Sequence, residues 1–224
     1  MGIASIGLGL LLARPVFASG APSRHDALYI HGELVVGPHW LSYESPINTG
    51  QPHTGEASAK TFGLMAAVGW TLPAGLVLGG TFFAHVQTDP DFDNPAVKQG
   101  WERTSGSLAG LAVFGRFYPN PRGGLHVEGM VGAAHYQIRQ TRSGGVTLTC
   151  PPIFPDCLDD QPPSIQVQDD SNGYLLGGGA GFDLWLGSQF SLGLTARLNY
   201  AQTWAGERNY ALWMPMVGLG LTWN

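Results

Sequence analysis

Few residues of this chain could do chemistry, and their spacing gives no complete site. Lys and Arg number 11, Asp and Glu 16, and His 7 among 224 residues. The histidines, at positions 25, 31, 39, 53, 85, 126 and 135, form no Ser-His-acid grouping of interpretable spacing. Asp89 begins a stretch like a calcium loop, but Asn94 and Gly100 stand where an EF-hand needs Gly and Glu. The sequence therefore indicates no catalytic residue, cofactor or metal site, and the protein is expected not to be an enzyme.

Five charged residues lie within segments that otherwise contain apolar or small residues: Glu33, Arg116, Glu128, Asp183 and Arg197. If these segments are strands, all five lie on the face opposite the large apolar residues. Pairing around a turn at 119–124 sets Arg116 across from Glu128, which predicts an ion pair inside the protein. The alternative is two separately solvated charges. Asp183 and Arg197, on neighbouring strands, would extend the network.

Both cysteines, Cys150 and Cys157, fall in the Pro-rich segment TCPPIFPDC. In an exported protein this spacing favours a disulfide that closes a small loop. The alternative is free or metal-binding thiols, although two Cys with no His between them make a poor zinc site.

The elements that must position these residues are strands, because apolar residues recur at every second position. The pattern is clearest over 190–200, where Phe, Leu, Leu, Ala, Leu and Tyr alternate with Ser, Gly, Thr, Arg and Asn. Similar patterns predict strands at about 28–41, 62–70, 76–86, 106–118, 124–138, 174–186 and 213–223. The expected fold is all-β, an eight-stranded antiparallel up-and-down barrel.

The predicted connections alternate in length. Long polar connections are expected at about 44–58, 88–105, 140–172 and 202–209, and short ones at 72–75, 119–124 and 187–189. This alternation is typical of outer-membrane barrels, which have short periplasmic turns and longer outside loops.

The aromatic residues are predicted to form two girdles at the membrane interfaces. One rim would hold Tyr29, Trp70, Phe117, Tyr118, Phe190 and Trp223. The opposite rim would hold Trp40, Tyr43, Phe82, Tyr136, Tyr174, Tyr200 and Trp213.

The composition indicates that the apolar face meets lipid. Charged residues make up 12% of the chain, about half the share of a soluble domain. A soluble barrel would need many charges on its outside, whereas lipid excludes them. The expected interior is built from Gly, Ala, Ser and Thr with the few charges. A net charge of −5 without a basic run gives no indication of nucleic-acid binding.

An export signal is expected at the N-terminus. An apolar run at 3–13 precedes Ala18, which predicts a signal peptide over 1–18, with cleavage as late as residue 21, although no Lys or Arg precedes the run. The barrel would then occupy 27–224.

The strands GYLLGGGAGFDLWL (173–186), AVFGRFYP (112–119) and WMPMVGLGLTWN (213–224) resemble those of the OmpA/OmpX-type outer-membrane β-barrel superfamily. The resemblance implies a structural, adhesion or surface-defence role in the bacterial outer membrane. It also implies contact with membrane lipid and lipopolysaccharide, and insertion by the barrel assembly machinery. Family members usually end in an aromatic residue, whereas here Trp223 is penultimate and Asn224 last.

The expected function is therefore that of a non-enzymatic, monomeric outer-membrane barrel acting through its outer loops. Three alternatives stay open. They are a lipid A-modifying enzyme that uses His85 or His135, an exported soluble lipid-binding barrel, and a narrow channel for small hydrophobic compounds.

Overall fold

The computed structural model describes residues 28–46, 52–92, 103–120, 123–142 and 165–224. The predicted signal peptide and the predicted disulfide between Cys150 and Cys157 lie outside these residues. None of the described residues belongs to a helix long and apolar enough to cross a membrane.

In the described residues eight strands follow one another, and each pairs antiparallel with the next. They are β1 (Leu28–Pro46), β2 (Pro52–Leu72), β3 (Leu76–Phe92), β4 (Arg103–Phe117), β5 (Leu125–Arg142), β6 (Ile165–Trp185), β7 (Phe190–Ala205) and β8 (Arg208–Trp223). The pairing of β1 with β8 closes the sheet into a barrel, as predicted. Closure leaves no sheet edge, which is a requirement in lipid because lipid offers no hydrogen-bond partners.

The strands are strongly tilted. Paired residues followed once around the barrel lead from Glu33 back to Tyr43 on the same strand, a shift of ten residues. Such a stagger in an eight-stranded barrel corresponds to a tilt in the usual range of about 35–45° and to a lumen that side chains can fill.

The three connections that the sequence predicts as short lie at one end of the barrel, between β2 and β3, β4 and β5, and β6 and β7. We call it the periplasmic end because outer-membrane barrels place their short turns there. The first of them includes Ala74 with φ 76° and Gly75 with φ 79°. The opposite, outer end differs from the prediction. Strand pairing continues to Pro46 and Pro52, and a two-residue turn with Gly206 at φ 60° joins β7 to β8. Much of the sequence predicted as long loops is therefore strand, because ladder hydrogen bonds do not require apolar side chains beyond the membrane.

The apolar face points outward, as the composition predicted. Leu192, Leu194 and Leu198 are 38%, 58% and 47% exposed, whereas Arg116 is 2% exposed. On β7 the outward side chains run from Phe190 to Tyr200, a height of about 25 Å at the usual rise and tilt. This height matches the apolar band of outer-membrane barrels, about 25 Å. A soluble lipid-binding barrel would place the same face inside, so that alternative is wrong.

The lumen is less polar than predicted. Besides small residues and charges it contains packed apolar side chains, among them Val35, Leu41, Met65, Phe83, Leu108, Met130, Leu175, Leu212, Met214 and Met216. Four of the five methionines of the sequence face the lumen, and each is buried. The flexible thioether side chain suits an irregular, narrow interior.

Candidate functional site: a closed lumen and an outer rim

Arg197 crosses the lumen and joins strands on opposite sides of the barrel. Its Nη2 donates to Glu33 Oε2 on β1 at 2.8 Å, and its Nε donates to Glu128 Oε1 on β5 at 2.8 Å. All three side chains are buried. A single guanidinium thus bonds one oxygen of each of two buried carboxylates.

Arg116 forms the second part of the network. It lies opposite Glu128 in the β4–β5 register and donates to Glu128 Oε2 from Nη2 at 2.7 Å and from Nε at 3.1 Å. Its Nη1 is 3.8 Å from Asp183 Oδ2, and the Tyr118 hydroxyl donates to the same oxygen at 2.6 Å. The structure therefore brings together all five charged residues that the sequence placed inside.

Two histidines that the sequence analysis did not connect with the network flank it. His31 Nε2 lies 3.3 Å from Glu33 Oε2, and His31 Nδ1 lies 2.8 Å from the hydroxyl of Thr222 on β8. His126 Nδ1 lies 3.5 Å from Asp183 Oδ2. Period-two alternation alone would have identified both, because each lies two residues from a network carboxylate (Glu33 or Glu128) on the same face of its strand.

Above the network, the outer half of the lumen is packed. Leu108, Leu175, Leu212 and Met214 are fully buried there. A cavity of about 20 Å³ lies between the charged residues and Met65 and Met130, which is room for about one water molecule. Within the described residues, buried side chains close the lumen in both halves.

At the outer mouth, the Asp169 carboxylate accepts hydrogen bonds from two residues of β8. Arg208 Nη1 donates to its carboxylate at 2.7 Å, and the Tyr210 hydroxyl donates to the same oxygen. The hydrogen bond to Asp169 raises the pKa of Arg208. The Tyr210 ring packs edge-on against Tyr136, 5.8 Å between ring centroids.

The predicted aromatic girdles need correction. Tyr29, Tyr43, Tyr118 and Tyr136 point into the lumen, because each lies on the same face of its strand as the network charges. Phe82 faces outward but lies in the middle of the apolar band, paired with Ala66 and Leu111. The remaining residues face outward near strand ends: Trp70, Phe117, Phe190 and Trp223 at the periplasmic end, and Trp40, Tyr174, Tyr200 and Trp213 at the outer end.

A compact group of outward side chains lies just above the apolar band on β6–β8. We call it the outer-rim cluster; it consists of Tyr174, Tyr200, Gln202, Trp204, Asn209 and Trp213. Gln202 Oε1 accepts hydrogen bonds from the hydroxyls of Tyr174 and Tyr200, both at 3.0 Å. Its Nε2 donates to Asn209 Oδ1 at 3.3 Å. Ring centroids are 5.7 Å apart for Tyr174 and Trp204 and 4.7 Å apart for Tyr200 and Trp213.

The two histidines considered for lipid A chemistry lie in different environments. His85 is buried in the lumen and cannot reach the outer leaflet, so that candidate is wrong. His135 is exposed on the outside, where its Nδ1 lies 3.0 Å from Asn172 Oδ1. Within the residues the structure describes, no three His, Cys, Asp or Glu side chains are close enough to hold a metal ion.

No protein-family model matches the sequence, and no curated protein matches it. Solved structures do match. The outer membrane protein OprG of Pseudomonas aeruginosa is 12% identical, with 89% of this chain and 98% of that chain covered and a TM-score of 0.46. Neisserial surface protein A is 10% identical (86% and 95% covered, TM-score 0.43). Ail, the attachment invasion locus protein of Yersinia pestis, is 9% identical (85% and 97% covered, TM-score 0.41).

The closed antiparallel sheet, the outward apolar band and the inward charges lead to one conclusion. The chain is an eight-stranded transmembrane β-barrel of the bacterial outer-membrane type.

Proposed function

We propose that the protein is a non-enzymatic, non-conducting barrel that works through the surface it presents outside the membrane. The observation that carries this proposal is the closed lumen. A continuous pore would have to break the bonds of Arg197 and also displace the packed side chains of the outer half. Desolvated ion pairs and close packing both resist such opening.

The outer ends of the strands supply the surface. On β5 and β6 the pairing continues past Tyr136 and Ser171 to Arg142 and Ile165, about 20 Å of additional strand at the usual rise. Among the described side chains of this extension, Gln137, Gln168 and Asp170 are polar and hydrogen-bonded to one another. Binding groups on paired strands are held better than on a loose loop. The expected role is interaction at the cell surface, with lipopolysaccharide as the surrounding lipid.

Current recordings in planar lipid bilayers test the closed lumen. The wild-type protein should give no stable conductance steps in salt solution. Regular open-channel steps from correctly folded protein would contradict the proposal. As a second arm, lipid A extracted from cells with and without the protein should have the same mass spectrum; a protein-dependent mass change would indicate an enzyme instead.

Labelling of whole cells tests which part is outside. In a chain with Cys150 and Cys157 replaced by Ser, Glu56→Cys and Asp170→Cys should react with a membrane-impermeant maleimide. Ser188→Cys, in the short turn between β6 and β7, is the matched control and should react only after lysis. The reverse pattern would contradict the orientation.

A further inference from the structure

The outer rim of the barrel is chemically one-sided. At the level where the apolar band ends, β6–β8 carry the aromatic and amide side chains of the outer-rim cluster, and the exposed Trp40 of β1, paired with Trp213, adjoins it. On β2–β4 the outward residues at this level are Lys60, Thr88 and Ser105, which pair across the ladder. An aromatic belt that served only to anchor the barrel would be expected on all sides. The asymmetry points to a specific ligand on the β6–β8 side.

The geometry of the cluster is fixed by hydrogen bonds. Because Gln202 Oε1 accepts from two phenols and Nε2 donates to Asn209, its amide has one orientation. Each phenol oxygen keeps acceptor capacity, and Gln202 and Asn209 keep N–H donors. Trp204, 44% exposed, adds an accessible ring face.

This combination matches a sugar ring. Donors and acceptors held side by side bind vicinal hydroxyl groups, and aromatic faces pack against the C–H faces of pyranose rings. None of the six side chains carries a charge, so the cluster is suited to hydroxyl groups more than to phosphate.

We propose that the outer-rim cluster binds the sugar headgroup of an outer-leaflet glycolipid, lipopolysaccharide. Its acyl chains would lie directly below, on the outward residues Leu176, Leu198 and Val217. Continuity with the apolar band favours a membrane glycolipid as the occupant rather than a soluble glycan. This inference deepens the proposed function by naming a partner of the outer surface.

The test is binding of lipopolysaccharide by the purified full chain in zwitterionic detergent, with phosphatidylglycerol and deacylated lipopolysaccharide oligosaccharide as comparison ligands. Wild type should bind lipopolysaccharide most tightly, and the affinity should persist in 1 M salt with EDTA, because charges at that ionic strength are screened within about 3 Å. Equal affinity for phosphatidylglycerol or for the oligosaccharide would overturn the proposal.

The double variant Gln202→Ala, Trp204→Ala should lose about tenfold or more in affinity, as the loss of hydrogen bonds and of a ring face implies. The matched control Thr88→Ala, Ser105→Ala changes the opposite side at the same height and should bind as wild type does. Equal loss in both, or in neither, would overturn the assignment.

If the double variant does not fold, Tyr174→Phe, Tyr200→Phe keeps both rings and removes only the hydroxyls, and it should weaken binding several-fold. Unchanged affinity would count against the hydrogen-bonded cluster as the site. The bilayer recordings keep the two proposals separate. A conducting barrel that binds the glycolipid contradicts only the closed lumen, and a closed barrel that does not bind contradicts only this site.

Discussion

Removal of Arg197 tests whether the lumen network holds the barrel together. Arg197→Ala leaves Arg116 as the one arginine beside three carboxylates, in contact with Glu128 and Asp183, while Glu33 keeps only its contact with His31. The Arg197 and Glu33 side chains are 2% and 0% exposed, so bulk water does not reach the carboxylate that loses its partner. Loss of one partner of a buried pair costs about 3–5 kcal/mol, because the remaining charge stays buried and unpaired. We expect a decrease of this size in the free energy of unfolding.

Arg208→Ala is the matched control. Its 2.7 Å pair with Asp169 is equally short, but the Arg208 side chain is 50% exposed at the outer mouth. Exposed ion pairs contribute about 0–1 kcal/mol. Both variants lose an ion pair, so the difference between their changes in the free energy of unfolding measures the effect of burial.

Urea titration of the protein in lipid vesicles, followed by tryptophan fluorescence, gives both free energies under one condition. A second substitution, Glu33→Gln, in the Arg197→Ala background should recover part of the loss, since it removes one of the unpaired charges. If Arg197→Ala costs no more than Arg208→Ala, the lumen is wet and the reasoning fails.

Three further predictions use the same titration. Gly132→Ala should cost about 1–3 kcal/mol, because its Cβ would come within 2.2 Å of the Leu111 carbonyl oxygen. Gly129→Ala should be nearly neutral, because the atom nearest to its Cβ would be 3.8 Å away. Equal effects of the two substitutions would contradict the packing argument. Leu194→Arg, in the apolar band, should cost about 2–4 kcal/mol, and a neutral effect would contradict its contact with lipid. Ala74→Gly should stabilise the protein by about 1 kcal/mol, since a φ of 76° strains residues with a Cβ; no gain would show that the turn is held by other contacts.

Period-two alternation was enough to predict the strand count, the outward apolar face and the inward position of all five network charges. The reason is that lipid penalises any charge on its side, so each charged residue fixes the facing of its whole strand. The register of the antiparallel strand pairing determines which of these charges lie opposite one another. Because antiparallel register is continuous, a short turn at 119–124 was sufficient to align Arg116 with Glu128.

The predictions that are wrong concern residues whose place in the alternation, and not their distance from a strand end, decides their facing. Tyr29 and Tyr43 were placed in the girdles because they stand near strand ends, but Glu33 on the same face of β1 already fixed them as inward. The packed apolar side chains among the lumen residues are not predicted either, because hydrophobicity alone does not distinguish a lumen position from a lipid contact. On β8, Met214 and Met216 alternate with the outward Trp213 and Val217 and must face inward. Nothing local distinguishes a methionine that packs in a lumen from one that faces lipid, so only the register decides.

The division of the lumen has a consequence for where function can reside. The periplasmic half is closed by charges that bond across the barrel, and the outer half by buried side chains, apolar ones such as Leu108 and Leu212 together with His39, His85 and Gln87. A solute would meet these two barriers one after the other, and each has a different physical origin. The low dielectric of the lumen strengthens the ion pairs of the first, and close packing maintains the second. A solute would have to overcome both, whereas a ligand at the outer rim has to overcome neither. The specific chemistry of this chain is therefore expected on its outer surface, where the six side chains of the outer-rim cluster are fixed and accessible.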